Sequence, residues 1–176
     1  MDTPRNISRA VLHSLCCTLV AHAALISSTA FAAQEILSCQ IKVFPADPDT
    51  KGSNIRNGPG SEYKVLAMIK DSDSEIEVSG SAGKWLRIRQ VTGVNGTVYF
   101  KGEGWVYGPL TGINSRGKIN LLSSPDKQSA ITGKMPDDAT ASVQGCKDAW
   151  LEIQYKNIKG WMPPNSYCGN PVTTCS

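Results

Sequence analysis

Apolar and polar positions alternate with a period of two over most of this chain. Ile41 to Phe44 reads as a short strand, and so does Lys64 to Ile69. Glu75-Ile76-Glu77-Val78 alternates cleanly. Trp85-Leu86-Arg87-Ile88-Arg89 follows, with Trp85, Arg87 and Arg89 on one face and Leu86 and Ile88 on the other. Gly93-Val94-Asn95-Gly96 is a hairpin tip, Thr97 to Phe100 climbs back, and Gly104-Trp105-Val106-Tyr107 closes the run. Between these strands stand turns: Pro45 to Asp49, Asn57-Gly58-Pro59-Gly60, Lys70 to Ser74 and Gly80 to Gly83. No stretch carries the 3.6-residue period of an amphipathic helix. Short strands at this spacing predict an all-β chain built as a small barrel or sandwich.

The pattern then repeats. Ile55 aligns with Leu121 and Pro59 with Pro125, 66 positions apart. Val78, Gly80, Trp85, Leu86 and Ile88 align with Val143, Gly145, Trp150, Leu151 and Ile153, 65 apart. Gly104-Trp105 aligns with Gly160-Trp161 at 56, so the second copy has a shorter hairpin between its tryptophans. All four tryptophans fall into matched pairs. The expected organisation is a signal peptide over 1–32, a first unit over 33–112 and a second over 113–176.

The leader is read from its layout. Arg5 and Arg9 precede a mostly apolar run from Ala10 to Ile26, and Ala30-Phe31-Ala32 offers an Ala-x-Ala cleavage site. A transmembrane anchor fits less well, because His13, Ser14, Thr18 and His22 interrupt the run. A lipoprotein box at Cys39 fits less well too, since Leu37 is large and the site lies far beyond the apolar run. The expected location is periplasmic or secreted.

Charge and cysteine narrow the function. A net charge of +3 with interspersed signs gives no basic patch, so no nucleic-acid partner is expected. The expected mature chain has no histidine, since His13 and His22 belong to the leader. Neither a Cys-His nucleophile nor a His-ligated zinc is then available. Four cysteines remain, Cys39, Cys146, Cys168 and Cys175, without C-x-x-C pairs. In an exported chain they predict two disulfides, with three possible pairings, rather than a metal site. Glu75 and Glu77 share a strand face, which a solvated surface explains better than a glycosidase pair. Asp47 and Asp49 read as a solvated turn rather than a cation site. The expectation from these residues is a protein with no catalytic residues, no metal and no cofactor.

The first copy resembles the bacterial SH3-like (SH3b) domain family. The resemblance rests on Asn54-Ile55-Arg56-Asn57-Gly58-Pro59, Tyr63-Lys64-Val65, Trp85-Leu86-Arg87-Ile88 and Gly104-Trp105-Val106. In the second copy Leu122 replaces Arg56, Ser123-Ser124 replaces Asn57-Gly58 and Ser129 replaces Tyr63. The resemblance implies two tandem bent antiparallel barrels. It also implies a groove between the long first loop and the loop before Trp85. Arg56, Asn57, Tyr63 and Trp85 would line it, an aromatic pair with polar donors suited to a sugar or peptide. The implied function is non-catalytic binding of peptidoglycan or wall peptides. The alternative is a protein-interaction module, such as an inhibitor or immunity partner of an exported hydrolase, or a subunit of an envelope complex. In the family a short turn borders the groove where Cys168 falls, which favours pairing Cys146 with Cys168 and Cys39 with Cys175. The rival is Cys39–Cys146 with Cys168–Cys175.

Overall fold

In a computed structural model, the structure describes residues 34–49 and 51–170. They belong to one compact unit, Ala33–Ser176. The expected signal peptide lies outside the described residues. No helix among the described residues is long and apolar enough to cross a membrane.

The described chain is all-β and antiparallel, as its alternation predicts. The first six strands are β1 (Leu37–Pro45), β2 (Ser53–Arg56), β3 (Val65–Ile69), β4 (Glu75–Ala82), β5 (Trp85–Thr92) and β6 (Val98–Tyr107). After a 3₁₀ turn at Gly108–Leu110 come β7 (Thr111–Ser115), β8 (Ile119–Leu122), β9 (Ile131–Met135), β10 (Thr140–Lys147), β11 (Trp150–Tyr155), β12 (Ile158–Met162) and β13 (Tyr167–Cys168). Val98–Phe100 and Gly104–Tyr107, separate in the sequence pattern, join into the single strand β6.

Strand order makes the repeat visible. The hydrogen-bonded path runs β3-β2-β6-β5-β4-β1-β7-β10-β11-β12-β8-β9, with β13 added to β7. Read from its centre, the second half mirrors the first: β7 to β12 occupy the places of β1 to β6. The path is open, ending at β3 and β9, and does not close into barrels. Bulges in β1, β3, β4, β5 and β6 bend the first half. The halves meet where β1 pairs with β7, at Phe44↔Gly112 and Pro45↔Thr111. A Cβ on Gly112 would lie 2.6 Å from Cε2 of Phe44, so glycine lets that ring cross the join.

One apolar cluster spans both halves. Val43, Ile76, Leu86 and Val106 of the first pack in the same cluster as Ile113, Val143, Leu151 and Met162 of the second. Two further ties cross the join. Ser81 on β4 and Cys146 on β10 are equivalent positions of the repeat, 65 apart, and they bond to each other. The Ser81 hydroxyl donates to the Cys146 carbonyl at 2.8 Å and accepts from the Cys146 N–H at 3.0 Å. Beside them Cys39 and Cys146 form a disulfide, with Cα atoms 5.9 Å apart.

That bond corrects the favoured pairing of Cys146 with Cys168 and Cys39 with Cys175. The start of β1 lies along the end of β10: Asp148 N–H donates to Ser38 at 2.7 Å, and Gln40 N–H donates to Asp148 at 3.3 Å. Cys39 bridges Asp148, two residues beyond Cys146, which brings the two sulfurs together, whereas β13 holds Cys168 opposite Asn114 of β7. Cys168 is itself disulfide-bonded, and Cys175 lies outside the described residues. Disulfide-bonded cysteines mark a chain that works in an oxidising, extracytoplasmic setting.

Candidate functional site

Arg56 ends β2, paired with Val65 of β3 on one side and Trp105 of β6 on the other. The chain then turns through Asn57-Gly58-Pro59-Gly60. Tyr63 folds back over that turn: a Cβ on Gly58 would lie 2.1 Å from the Tyr63 Cδ1 atom. Arg56 fastens the return, its Nη1 donating to the Tyr63 carbonyl at 2.7 Å. The Asn57 N–H donates to the Lys64 carbonyl at 3.0 Å. This loop is one wall of a cleft of about 640 Å³.

The other wall is aromatic. Trp85 opens β5 and faces Tyr107, its register partner at the end of β6. Their ring centroids are 5.3 Å apart and the planes are tilted by 53°. That tilted approach suits ring quadrupoles and adds to burial. Both rings are half-buried, leaving apolar surface on show. Asp47 and Glu62 bring carboxylates to the rim. Asp47 is held in place, accepting from the Ser53 hydroxyl and from the Asp49 N–H, each at 2.9 Å. The cleft thus offers a flat apolar contact with acidic and guanidinium groups at its edge, an arrangement that can orient a sugar or a peptide.

Of the four residues expected here, Arg56 and Trp85 line this cleft. Asn57 is exposed on the turn, and Tyr63 sits over Gly58, outside the lining. Tyr107 takes the place beside Trp85 that the sequence reading assigned to Tyr63. The hairpin explains why. Gly93 N–H donates to the Thr97 carbonyl at the tip, and counting back without interruption would set Trp85 opposite Trp105. Two bulges, between Ile88 and Gln90 and between Val91 and Thr92, move the partner to Tyr107. Trp105 is 4% exposed, in line with core packing, although it shares the face of Arg87 rather than that of Leu86 and Val106.

The second half has a cleft at the equivalent place, of about 340 Å³. Asn120 stands for Asn54 and Leu122 for Arg56, and Pro163 stands for Tyr107, 56 residues on. No aromatic side chain among the described residues lines it.

A third cleft, of about 580 Å³, opens where the halves join, with Lys42, Glu77 and Arg89 facing Tyr167. Lys42 pairs with Glu75 at 2.6 Å, and that hydrogen bond raises its pKa. Burial pushes the Tyr167 phenol up to about 12. Its hydroxyl donates to the Ala149 carbonyl at 3.0 Å.

No protein-family model matches the chain. A curated relative named as a putative N-acetylmuramoyl-L-alanine amidase, YrvJ of Bacillus subtilis strain 168, is 25% identical over 129 residues. The match takes in 64% of this chain and 23% of the relative, so the chain spans under a quarter of the protein it resembles. Two solved structures from Trichomonas vaginalis, NlpC2 and NlpC1, are 12% and 13% identical, with TM-scores of 0.31 and 0.28. Each likeness covers 77% of this chain, with 49% of NlpC2 and 46% of NlpC1, and neither bears on function. The expectation of a protein that is not an enzyme is corrected here, because the curated relative is named for an amidase. The expectation rests on the missing histidine, the unpaired cysteine spacing and the solvated Glu75–Glu77 face.

Proposed function

We propose that this chain works on peptidoglycan outside the cytoplasm, holding the wall polymer in the Trp85–Tyr107 cleft as part of its hydrolysis. The carrying observation is the cross-strand aromatic pair, ring centroids 5.3 Å apart, on the wall of a 640 Å³ cleft with Arg56, Asp47 and Glu62 at the rim. Aromatic faces give rigid contact area to a sugar ring or a peptide, and rim charges set its direction. The amidase-named relative supports the choice of polymer. The SH3b motifs of the first copy support a pair of SH3-like units over 33–112 and 113–176, exported by the leader at 1–32.

The test is co-sedimentation with purified sacculi, measuring in the same tubes the soluble wall fragments released. The disulfide-bonded chain is expected to pellet, and Trp85→Ala with Tyr107→Ala to stay in the supernatant with its strand content intact. Equal pelleting of both proteins would remove the cleft from the account. Fragment release that falls with binding would tie hydrolysis to the cleft.

A further inference from the structure

We infer that the cleft of the second half is an anion site, distinct in ligand from the first. The repeat supplies the comparison, position by position. Lys118 stands where the first half has Gly52, Lys127 where it has Ser61, and Leu122 where it has Arg56. Glu62, a rim carboxylate of the first cleft, has the neutral Gln128 as its counterpart. Among the described residues, the first cleft is lined by Asp47 and Glu62 against one arginine, and the second by two lysines and no carboxylate. The repeat has kept the hollow and reversed its charge.

Both lysines are available. Each is exposed, and neither has an ion-pair partner among the described residues. The carboxylates closest in sequence are occupied with turns. Asp126 accepts from the Gln128 N–H at 3.0 Å, and Asp137 accepts from the Gly117 N–H at 2.6 Å and the Asp138 N–H at 3.0 Å. Neither lines the cleft. Asn120 and Ser166 add polar groups to the lining. Two ammonium groups over a polar and apolar floor suit a carboxylate or a phosphate, each a compact negative charge with several acceptor oxygens. The aromatic contact that a neutral saccharide uses is missing among the described residues of the lining: Pro163 stands for Tyr107, and Trp150, the counterpart of Trp85, does not line the cleft.

The experiment is a heteronuclear NMR titration of the full, disulfide-bonded chain with four probes. Glutarate and glycerol 3-phosphate carry the anion; glutaramide and glycerol are their neutral counterparts. Both anions are expected to shift the amides of Lys118, Asn120, Lys127 and Ser166, to leave Trp85 and Tyr107 unmoved, and to weaken as salt rises. The stronger of the two names the source, carboxylate or phosphate. Lys118→Gln with Lys127→Gln is expected to weaken binding at least tenfold, and the double arginine variant to restore it. Neutral probes acting as strongly as the anions would overturn the assignment. So would a glutamine variant with a dispersed spectrum and unchanged shifts. The result is independent of whether the first cleft takes peptidoglycan.

Discussion

Gly58 and Tyr63 show how one residue's emptiness sets another's place. The Tyr63 ring occupies the space where a Gly58 side chain would begin. Gly58→Ala is expected to displace the ring, loosen the Arg56 bond to the Tyr63 carbonyl, and cost about 1–3 kcal/mol in a urea melt. Trp85 and Tyr107 have the opposite profile, since both line the cleft and neither ring is fully buried. Truncating either to alanine is expected to cost ligand affinity about 10-fold or more with little loss of stability, as for exposed aromatic anchors. Tyr63→Ala is expected to leave that affinity nearly unchanged, because its ring lies outside the lining. Arg56 and Trp85 were legible in sequence because a turn motif and a strand start announce them. Tyr107 was not, because its partner depends on two bulges: Gly102, at φ 140°, marks one of them, and the local pattern marks nothing at the other, beside Tyr99.

Elements repeat this division between what alternation reveals and what pairing decides. Glu75-Ile76-Glu77-Val78 buries Ile76 and Val78, as period two requires. On β3 the rule fails: Val65, Leu66 and Met68 are each more than 40% exposed. β3 is the end of the sheet path, and among the described residues no further strand pairs with its outer edge. The join between halves was the least legible part, because it rests on contacts between strands far apart in sequence. Cys39 and Cys146 are 107 residues apart, and only the run of β1 beside the end of β10 brings them together. Closing so long a loop restricts the unfolded chain. Cys39→Ser is expected to lower stability by about 2–5 kcal/mol by chemical denaturation. Ser81→Ala removes a donor and an acceptor from buried Cys146 backbone groups. Its expected cost is about 1–3 kcal/mol.

At the scale of the molecule, the shared core and these ties are expected to make the two halves unfold together. Tryptophans mark both halves, Trp85 and Trp105 in one and Trp150 and Trp161 in the other. Fluorescence of variants keeping only one pair is expected to report a single common midpoint; separate midpoints would mean independent halves. The join also carries a pH dependence. Tyr167 is raised by burial to about 12 from 10.0, so the folded state holds its proton longer than the unfolded chain. Its contribution is whole below pH 10 and is lost as pH rises toward 12. Lys42, raised by Glu75, acts in the same direction above its free value of 10.5. Tyr167→Phe is expected to flatten the fall in stability between pH 10 and 12, followed by urea melts.

The cleft between Arg56 and the Trp85–Tyr107 pair carries the account, and one measurement addresses it most directly. A soluble disaccharide-peptide fragment of peptidoglycan is titrated into the isotope-labelled chain, and the shifted resonances are mapped. Saturable shifts centred on the Trp85 indole, Arg56 and Tyr107, lost in Trp85→Ala, are the predicted result. Shifts confined to other surfaces, or none at millimolar fragment with the protein folded, would contradict it.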